Sequence, residues 1–387
     1  MSGNGGAGAE VVVIGGGIVG TATAYRLAEG GARVTLVDAG ELGRGTSASS
    51  FAWLNSAHKR PRAYHDLNVA GMAEHAALGR EFGAAPWLHS VGGLSWSVTA
   101  AGQEGLRRDA ARQAGWGYRT EAITTGRATR ELEPGLAVDP TIVPEFWYAP
   151  DEGWVDVPTL IRHFLDRATA LGTTIRTHEA VVTIEQTGGR ATGVRLASGA
   201  TLAADALVNC AGPRADEVAA LLGWSLPLDR QPGLLAITGP TRPSGRCVCH
   251  ADAITFRPDP GGGLVLAHAE DLDRTVSADT PTDPPPAACT EALARAARSY
   301  PSVAAAGIAA ARIGVRPLPR DGVSIVGLIP GHTNAYVAVT HSGVTLGPLL
   351  GRLLAGEIMG AGEAAQLAPF CPARFTAGAS RESCRES

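Results

Sequence analysis

Gly15, Gly17 and Gly20 fall in the GxGxxG spacing, between an apolar run at 11–14 and a segment with helical apolar spacing at 18–29. A second apolar run, 33–37, then ends at an acid, Asp38. That context turns a common glycine pattern into a dinucleotide-binding one. Gly15 permits the tight turn, Gly17 lets the backbone approach a pyrophosphate, and Gly20 lets helix and strand pack closely. The pyrophosphate would sit on the unpaired amides of the helix N-terminus, around Ile18 and Val19. Asp38, with Ala39 beside it, would accept hydrogen bonds from the adenosine ribose. A phosphorylated ribose would be repelled, which favours FAD or NAD over NADP. The chain then departs into Arg44-Gly45-Thr46-Ser47-Ala48-Ser49-Ser50. Arg44, Thr46 and Ser47 suit a second contact with the pyrophosphate, where an NAD enzyme would continue into a compact sheet.

Around this unit, residues 64–83, 101–114, 157–171, 288–299 and 346–359 have helical spacing. Residues 92–98 alternate as an antiparallel strand, and 115–150 read as polar connections. Strands are expected at 174–176, 180–186, 193–196, 204–210, 323–326 and 335–339, and antiparallel strands across 226–275. The Pro-rich acidic stretch 279–287 is a surface loop. Dinucleotide-type α/β material thus stands at the start, middle and end, with antiparallel β between. The expected class is α/β: a discontinuous Rossmann-like FAD-binding domain (8–85, 151–224 and 313–375) with an inserted antiparallel-sheet substrate domain (86–150 and 225–312). A disordered tail is expected at 376–387.

The 387 residues are 45% hydrophobic, and 33 basic against 37 acidic side chains leave a net charge of −4. That balance gives no bulk attraction to nucleic acid or an anionic membrane. Six cysteines (Cys210, Cys247, Cys249, Cys289, Cys371, Cys384) show no CxxC pair or zinc spacing. Neither a metal site nor a disulfide framework is expected, and a reducing compartment follows. Residues 1–10 are too polar for a signal peptide. Arg352 and Glu357 interrupt the most apolar C-terminal stretch. A soluble cytoplasmic enzyme is the expectation. Fifty residues are glycine, and Lys59 is the only lysine.

Seven ordered segments carry more. They are 11–38; Gly45-Thr46-Ser47 continuing through Phe51-Ala52-Trp53-Leu54-Asn55; Gly153-Trp154-Val155-Asp156; 205–213; Gly314-Val315-Arg316-Pro317 with Asp321-Gly322 and Ile325-Val326-Gly327; 340–348; and 369–375. In this order they resemble the flavin-dependent amino-acid and amine oxidases of the D-amino acid oxidase superfamily, especially glycine oxidase- and sarcosine oxidase-like members. The resemblance covers about residues 10 to 375. It implies noncovalent FAD, because the cysteine near Gly314 and the histidine before Phe51 that carry covalent flavin elsewhere are missing. It implies that Val182 touches the adenine through its backbone and that Ala211 and Gly212 pass the phosphate arm. Ser342, Gly343, Val344, Thr345 and Leu346 would then lie by the flavin ring, their amides and helix dipole stabilising negative charge there.

The same resemblance places Arg316 where the family grips the substrate carboxylate, a task suited to a planar fork. Its other reading is an ion pair with Asp321. His341 falls at a second polar contact, orienting substrate or accepting a proton, or else packing on the flavin edge. Lys59, Arg60 and Arg62 form a basic cluster near an arginine that contacts carboxylate in sarcosine oxidase-like members, with a solvated face as the plainer reading. The strand around Ala253, Thr255 and Arg257 would line the pocket, with Ala253 and Thr255 small where relatives are bulky, so a widened pocket is expected. The lysine that assists oxygen reduction in sarcosine oxidases falls at Val265, and another that holds carboxylate falls at Gly347.

The implied reaction is oxidation of a glycine-type amine with a carboxylate, most of all an N-substituted glycine, in the biosynthesis of a specialised metabolite. Hydride would pass from the α-carbon to flavin N5, and the imine would hydrolyse to glyoxylate and amine, with molecular oxygen as acceptor. The alternatives are a D-amino acid or imino-acid dehydrogenase with another acceptor, and a flavin monooxygenase. The last would need a second strand–GxGxxG–helix unit for NADPH, which the sequence lacks.

Overall fold

The computed structural model describes residues 8–267, 269–283, 285–362 and 364–376. The expected tail beyond 376 lies outside them. Strands Glu10–Ile14, Arg33–Val37, Thr174–Arg176 and Ala206–Asn209 pair in parallel, and Ala335–Val339 extends the sheet beside Ala206–Asn209. Ile325–Leu328 closes its edge in antiparallel fashion. The inner strands are buried on both faces, which is why they are continuous apolar runs. Helices Ile18–Glu29 and Gly343–Ile358 pack on one side against the core of Val11, Val13, Leu36, Val208 and Ala338.

These two helices meet where side chains are smallest. A Cβ on Gly351 would lie 2.7 Å from the carbonyl carbon of Ala22 and 2.8 Å from the Thr23 nitrogen, and one on Gly347 would lie 3.0 Å from Ile18. Helix Arg62–Phe82 crosses Gly343–Ile358 in turn, with Gly71 against the Thr345 carbonyl. The buried Glu74 carboxylate binds Arg352 at 3.0 Å.

An eight-stranded sheet forms the second layer. Its long antiparallel pair, Leu228–Thr238 with Ile308–Pro319, runs in register from Leu228↔Pro319 to Ile237↔Ala310. Strands Leu264–Ala267, Thr255–Pro258, Val248–His250, Gly93–Ser95, Glu145–Ala149 and Glu121–Thr124 follow in that order. The last two correct the expectation of polar connections across 115–150. Buried Ile123, Val143 and Phe146 make this stretch part of a core with Leu94, Trp96 and Phe256. Val248–His250 also pairs in parallel with Gly93–Ser95, where only antiparallel pairing was expected. Trp53–Leu54, Gly153–Val155 and Leu88–His89 form a small sheet between the layers.

The architecture is therefore mixed α/β, with a parallel Rossmann-like sheet and a large, mainly antiparallel one. Among the described residues, no helix is long and apolar enough to cross a membrane. Cys210, Cys247, Cys249 and Cys289 are free and buried, whereas Cys371 is disulfide-bonded, against the expectation of none.

Candidate active site

A cavity of about 340 Å³ opens between the two layers. Its wall includes the start of helix Ile18–Glu29 through Gly17, Ile18 and Val19. Beside it, the wall includes the start of helix Gly343–Ile358 through Ser342, Gly343, Val344 and Thr345. Neither N-cap residue supplies a side-chain cap of its own, and neither first turn carries an acid. Both ends thus present amides and the positive end of a helix dipole to one space.

Each end is held from behind. Ser47 Oγ accepts the Ile18 amide at 3.1 Å, and a Cβ on Gly17 would stand 3.1 Å from that oxygen. Thr46 Oγ1 donates to the Val315 carbonyl, tying this loop to the long strand that carries Arg316. Gly15, at φ +106°, approaches the Cys210 carbonyl, where a Cβ would fall at 2.4 Å. At the other end Tyr64 donates to Ser342 Oγ at 2.9 Å. His75 Nε2 donates to the Val344 carbonyl at 2.9 Å, and burial lowers this imidazole to about 4, so it is neutral. Tyr64, Gly71 and His75 were not singled out by sequence. Their signal was present as small and polar residues at 64, 71 and 75 on one helical face.

The expected cofactor residues divide. Gly17, Ile18, Val19, Thr46, Ser47, Gly212, Arg316, Ser342, Gly343, Val344 and Thr345 stand on the wall. Gly15 and Gly20 act in packing: a Cβ on Gly20 would collide with the Gly15 carbonyl. Asp38 lies at the end of its strand, accepting the Gly16 amide at 2.6 Å and the Gly40 amide at 2.8 Å. The Glu179 amide donates to the Asp38 carbonyl, which brings the strand bearing the exposed Val182 beside this turn and Ala39. Ala211 is absent from the cavity wall, though its neighbours Cys210 and Gly212 form part of it. Arg44 faces solvent and pairs with Glu41 instead of turning toward the cavity. Leu346 is a core residue, fully buried one step beyond the wall, because the helix turns it inward.

Arg316 and His341 both face the cavity. The expected partner of Arg316, Asp321, pairs with Arg374 at 2.8 Å. Arg316 Nη2 instead donates to Asp273 Oδ2 at 2.6 Å and to the Pro232 carbonyl at 2.9 Å. Asp273 is buried on the same wall, its Oδ1 accepting the Leu234 amide at 2.8 Å. Gly233 makes room, since a Cβ there would lie 2.9 Å from Arg316 Nε. His341 stands exposed on the open cavity wall. Desolvation by the neighbouring protein, then the charges of Lys59 and Arg316, lower it to about 4, so it faces the cavity as a neutral imidazole.

Thr255 and Arg257 are corrected: neither belongs to the cavity wall formed by the described residues. Thr255 is fully buried and hydrogen-bonded to His250 at 2.8 Å. Arg257 donates to the Phe51 and Pro258 carbonyls and stacks 4.4 Å over Trp154. The room left by the small residue at 255 is filled by His250, whose ring lies 5.6 Å from both Trp53 and His58. The expected widening therefore does not occur beside Thr255.

Beneath the wall, Trp53 Nε1 donates to Glu152 Oε2 at 2.8 Å, and Tyr118 donates to Oε1 at 2.6 Å. Glu152 is enclosed, and burial pushes its carboxyl up to about 7. Trp53 in turn accepts at its carbonyl from Thr345 Oγ1. Among the described residues, no group of three or more His, Cys, Asp or Glu side chains is placed to hold a metal ion.

FAD fits this cavity. Two amide clusters face one space, the glycines at 15 and 17 leave backbone close by, and hydroxyls at 46 and 47 brace the loop. Cys210, on the wall, is a neutral thiol because burial pushes it up to about 12, which suits a cofactor held without a thioether. Comparison with known proteins agrees. The chain is 27% identical over 373 residues to glycine oxidase of Geobacillus kaustophilus, covering 93% of this chain and 96% of that one. It is 25% identical over 396 residues to an opine oxidase component of Agrobacterium tumefaciens, covering 95% and 98%. The crystal structure of the Geobacillus kaustophilus glycine oxidase superposes with a TM-score of 0.83 at 26% identity, over 95% of this chain and 100% of that one. The family model for FAD dependent oxidoreductases (DAO) matches residues 10–357, so the two helix ends, the Arg316 wall and the sheet that carries them belong to a member of that family, an FAD-dependent oxidoreductase.

Proposed function

We propose that this enzyme oxidises a glycine-type amine, above all an N-substituted glycine. The observation that carries the reading is the placement of Arg316 and neutral His341 on the same cavity wall as the amides of Ser342 to Thr345. Relatives named as glycine oxidase and opine oxidase support a substrate that is an amine with a carboxylate. FAD held by these residues would supply a two-electron acceptor for the α-hydrogen and its electron pair, and hydrolysis of the resulting imine would give glyoxylate and the free amine.

The chain's own residues bind and orient. Arg316 holds the carboxylate through the N–H groups that Asp273 and Pro232 leave open. Asp273 fixes the plane of the guanidinium, and so the direction in which the α-carbon points. The amine must be neutral to release hydride, and Arg316 and Lys59 on the wall disfavour its protonated form. His341, uncharged, is free to accept from the amine N–H without adding another cation. The amides of Gly343 to Thr345 and the helix dipole stabilise the negative charge that builds beside them. Oxygen is the terminal acceptor in this reading, giving hydrogen peroxide.

The test is anaerobic. Sarcosine and larger N-alkylglycines should bleach the yellow flavin and yield glyoxylate, and oxygen should restore the colour with peroxide formed. Bleaching by D-amino acids alone, or by none of these amines, would reject the reading.

A further inference from the structure

Lys59 is the only lysine of the chain, and it stands on the wall of the main cavity. It also lines a second cavity of about 270 Å³, together with His58, Arg60, Tyr64, Pro319 and His341. His58, Lys59 and His341 are common to both walls, so they form the boundary between the two spaces. Arg316 belongs to the main cavity alone.

The neighbouring cations are already matched. Arg316 pairs with Asp273, Arg60 with Asp109 and Arg62 with Asp66. Lys59 has no carboxylate within ion-pair distance among the described residues. Glu152 feels its charge, but that carboxyl is sealed beneath Trp53 with Trp53 and Tyr118 as donors. Half-buried and without a carboxylate partner among the described residues, the Lys59 ammonium can meet an anion entering either space. His341, shared by both walls, feels the charge of Lys59 and of Arg316. Arg316 lines only the first space and Lys59 borders both, so an anion in the second space has Lys59, not Arg316, to meet it.

We propose that Lys59 receives a carboxylate carried on the nitrogen substituent of the substrate. The favoured substrates are then secondary amines with two carboxylates, N-(carboxyalkyl)glycines. The glycine carboxylate rests on Arg316, the nitrogen near His341, and the substituent passes into the second cavity, where its carboxylate meets Lys59. This rests on the N-substituted glycine reading above and names the substituent.

Binding tests it apart from turnover. Thiodiacetate has the shape of such a substrate with sulfur in place of nitrogen, and (methylthio)acetate lacks only the second carboxylate. Each is titrated into the oxidised holoenzyme, with the flavin spectrum as readout, for the parent protein and for Lys59→Met. In the parent, thiodiacetate should bind about 10-fold or more tighter, as expected of one charge-assisted contact. In Lys59→Met that ratio should collapse toward one, and Lys59→Arg should restore part of it. A ratio near one in the parent overturns the proposal. So does an unchanged ratio in Lys59→Met, which is what a merely structural role, or an anchor for the glycine carboxylate, would give. Should the ratios behave as expected while no N-substituted glycine bleaches the flavin, the binding assignment stands and the reaction assigned to the site fails.

Discussion

Asp273 and Arg316 share a 2.6 Å ion pair on the cavity wall, although one ends a four-residue helix and the other lies in a twelve-residue strand. Both protons of Arg316 Nη2 are committed, to Asp273 and to the Pro232 carbonyl. The guanidinium is thus oriented before any substrate arrives. Asp273→Asn would remove the negative charge and leave one oxygen to serve both the Arg316 guanidinium and the Leu234 amide. We expect kcat/KM for carboxylate-bearing amines to fall about 10- to 100-fold, with FAD still bound, from loss of one buried charge-assisted contact. An unchanged kcat/KM would show that Asp273 does not position Arg316.

Gly233 tests the same geometry from below. A Cβ there would stand 2.9 Å from Nε and 3.1 Å from the central carbon of the guanidinium. Gly233→Ala must therefore push Arg316 off Asp273. The expected outcome is a KM raised about 10-fold with kcat changed less, as removal of a binding contact predicts. Steady-state kinetics with the flavin content matched to the parent decide it.

Glu152 and His75 give opposing pH dependences. Glu152 is raised from 4.5 to about 7 by burial, so the folded state holds its proton more tightly. Its contribution to stability is full below 4.5 and is lost as pH rises through 7. His75 is lowered from 6.5 to about 4 by burial, so its contribution is full above 6.5 and is lost as pH falls through 4. Glu152→Gln keeps an oxygen for Trp53 and an amide for Tyr118 but cannot ionise. Its melting temperature relative to the parent should climb between pH 5 and pH 8. A difference that stays flat over this range would mean Glu152 is not protonated in the fold.

Helix propensity alone would make Gly351→Ala stabilising by about 1 kcal/mol. Contact with the Ala22 and Thr23 backbone predicts the reverse, because backbone cannot swing aside as a side chain can. We expect destabilisation of about 1–3 kcal/mol and weaker FAD retention, read by thermal melts and by flavin released on gel filtration. A more stable variant with full FAD content would contradict the packing described here.

How much of this could be seen in the sequence depended on whether the cause was local. Strands Arg33–Val37, Thr174–Arg176 and Ala335–Val339 and helix Ile18–Glu29 occur where apolar spacing put them, since burial pattern is written residue by residue. The strands in 115–150 were hidden by polar outward faces. Arg316 and His341 were reached through resemblance, and both face the cavity. Asp273 gave no signal: it is one of three acids in Glu270–Asp273, and only the fold brings it to Arg316. Thr255 misled for a related reason. Its size suggested empty space, and the space is taken by His250 across a short hairpin. Lys59 was legible only as part of a basic cluster: Arg62 leaves it through a local i,i+4 pair with Asp66, whereas the pair of Arg60 with Asp109 is tertiary.

The contact of Gly347 and Gly351 with Ile18 and Ala22 has one more consequence. The helices that point their amides into the cavity are clamped to each other along their flanks, so the gap between those two ends is a fixed caliper. The relative placement of the amides at the two helix starts is therefore a property of helix packing, and loosening the Gly351 contact would disturb cofactor binding at both starts at once.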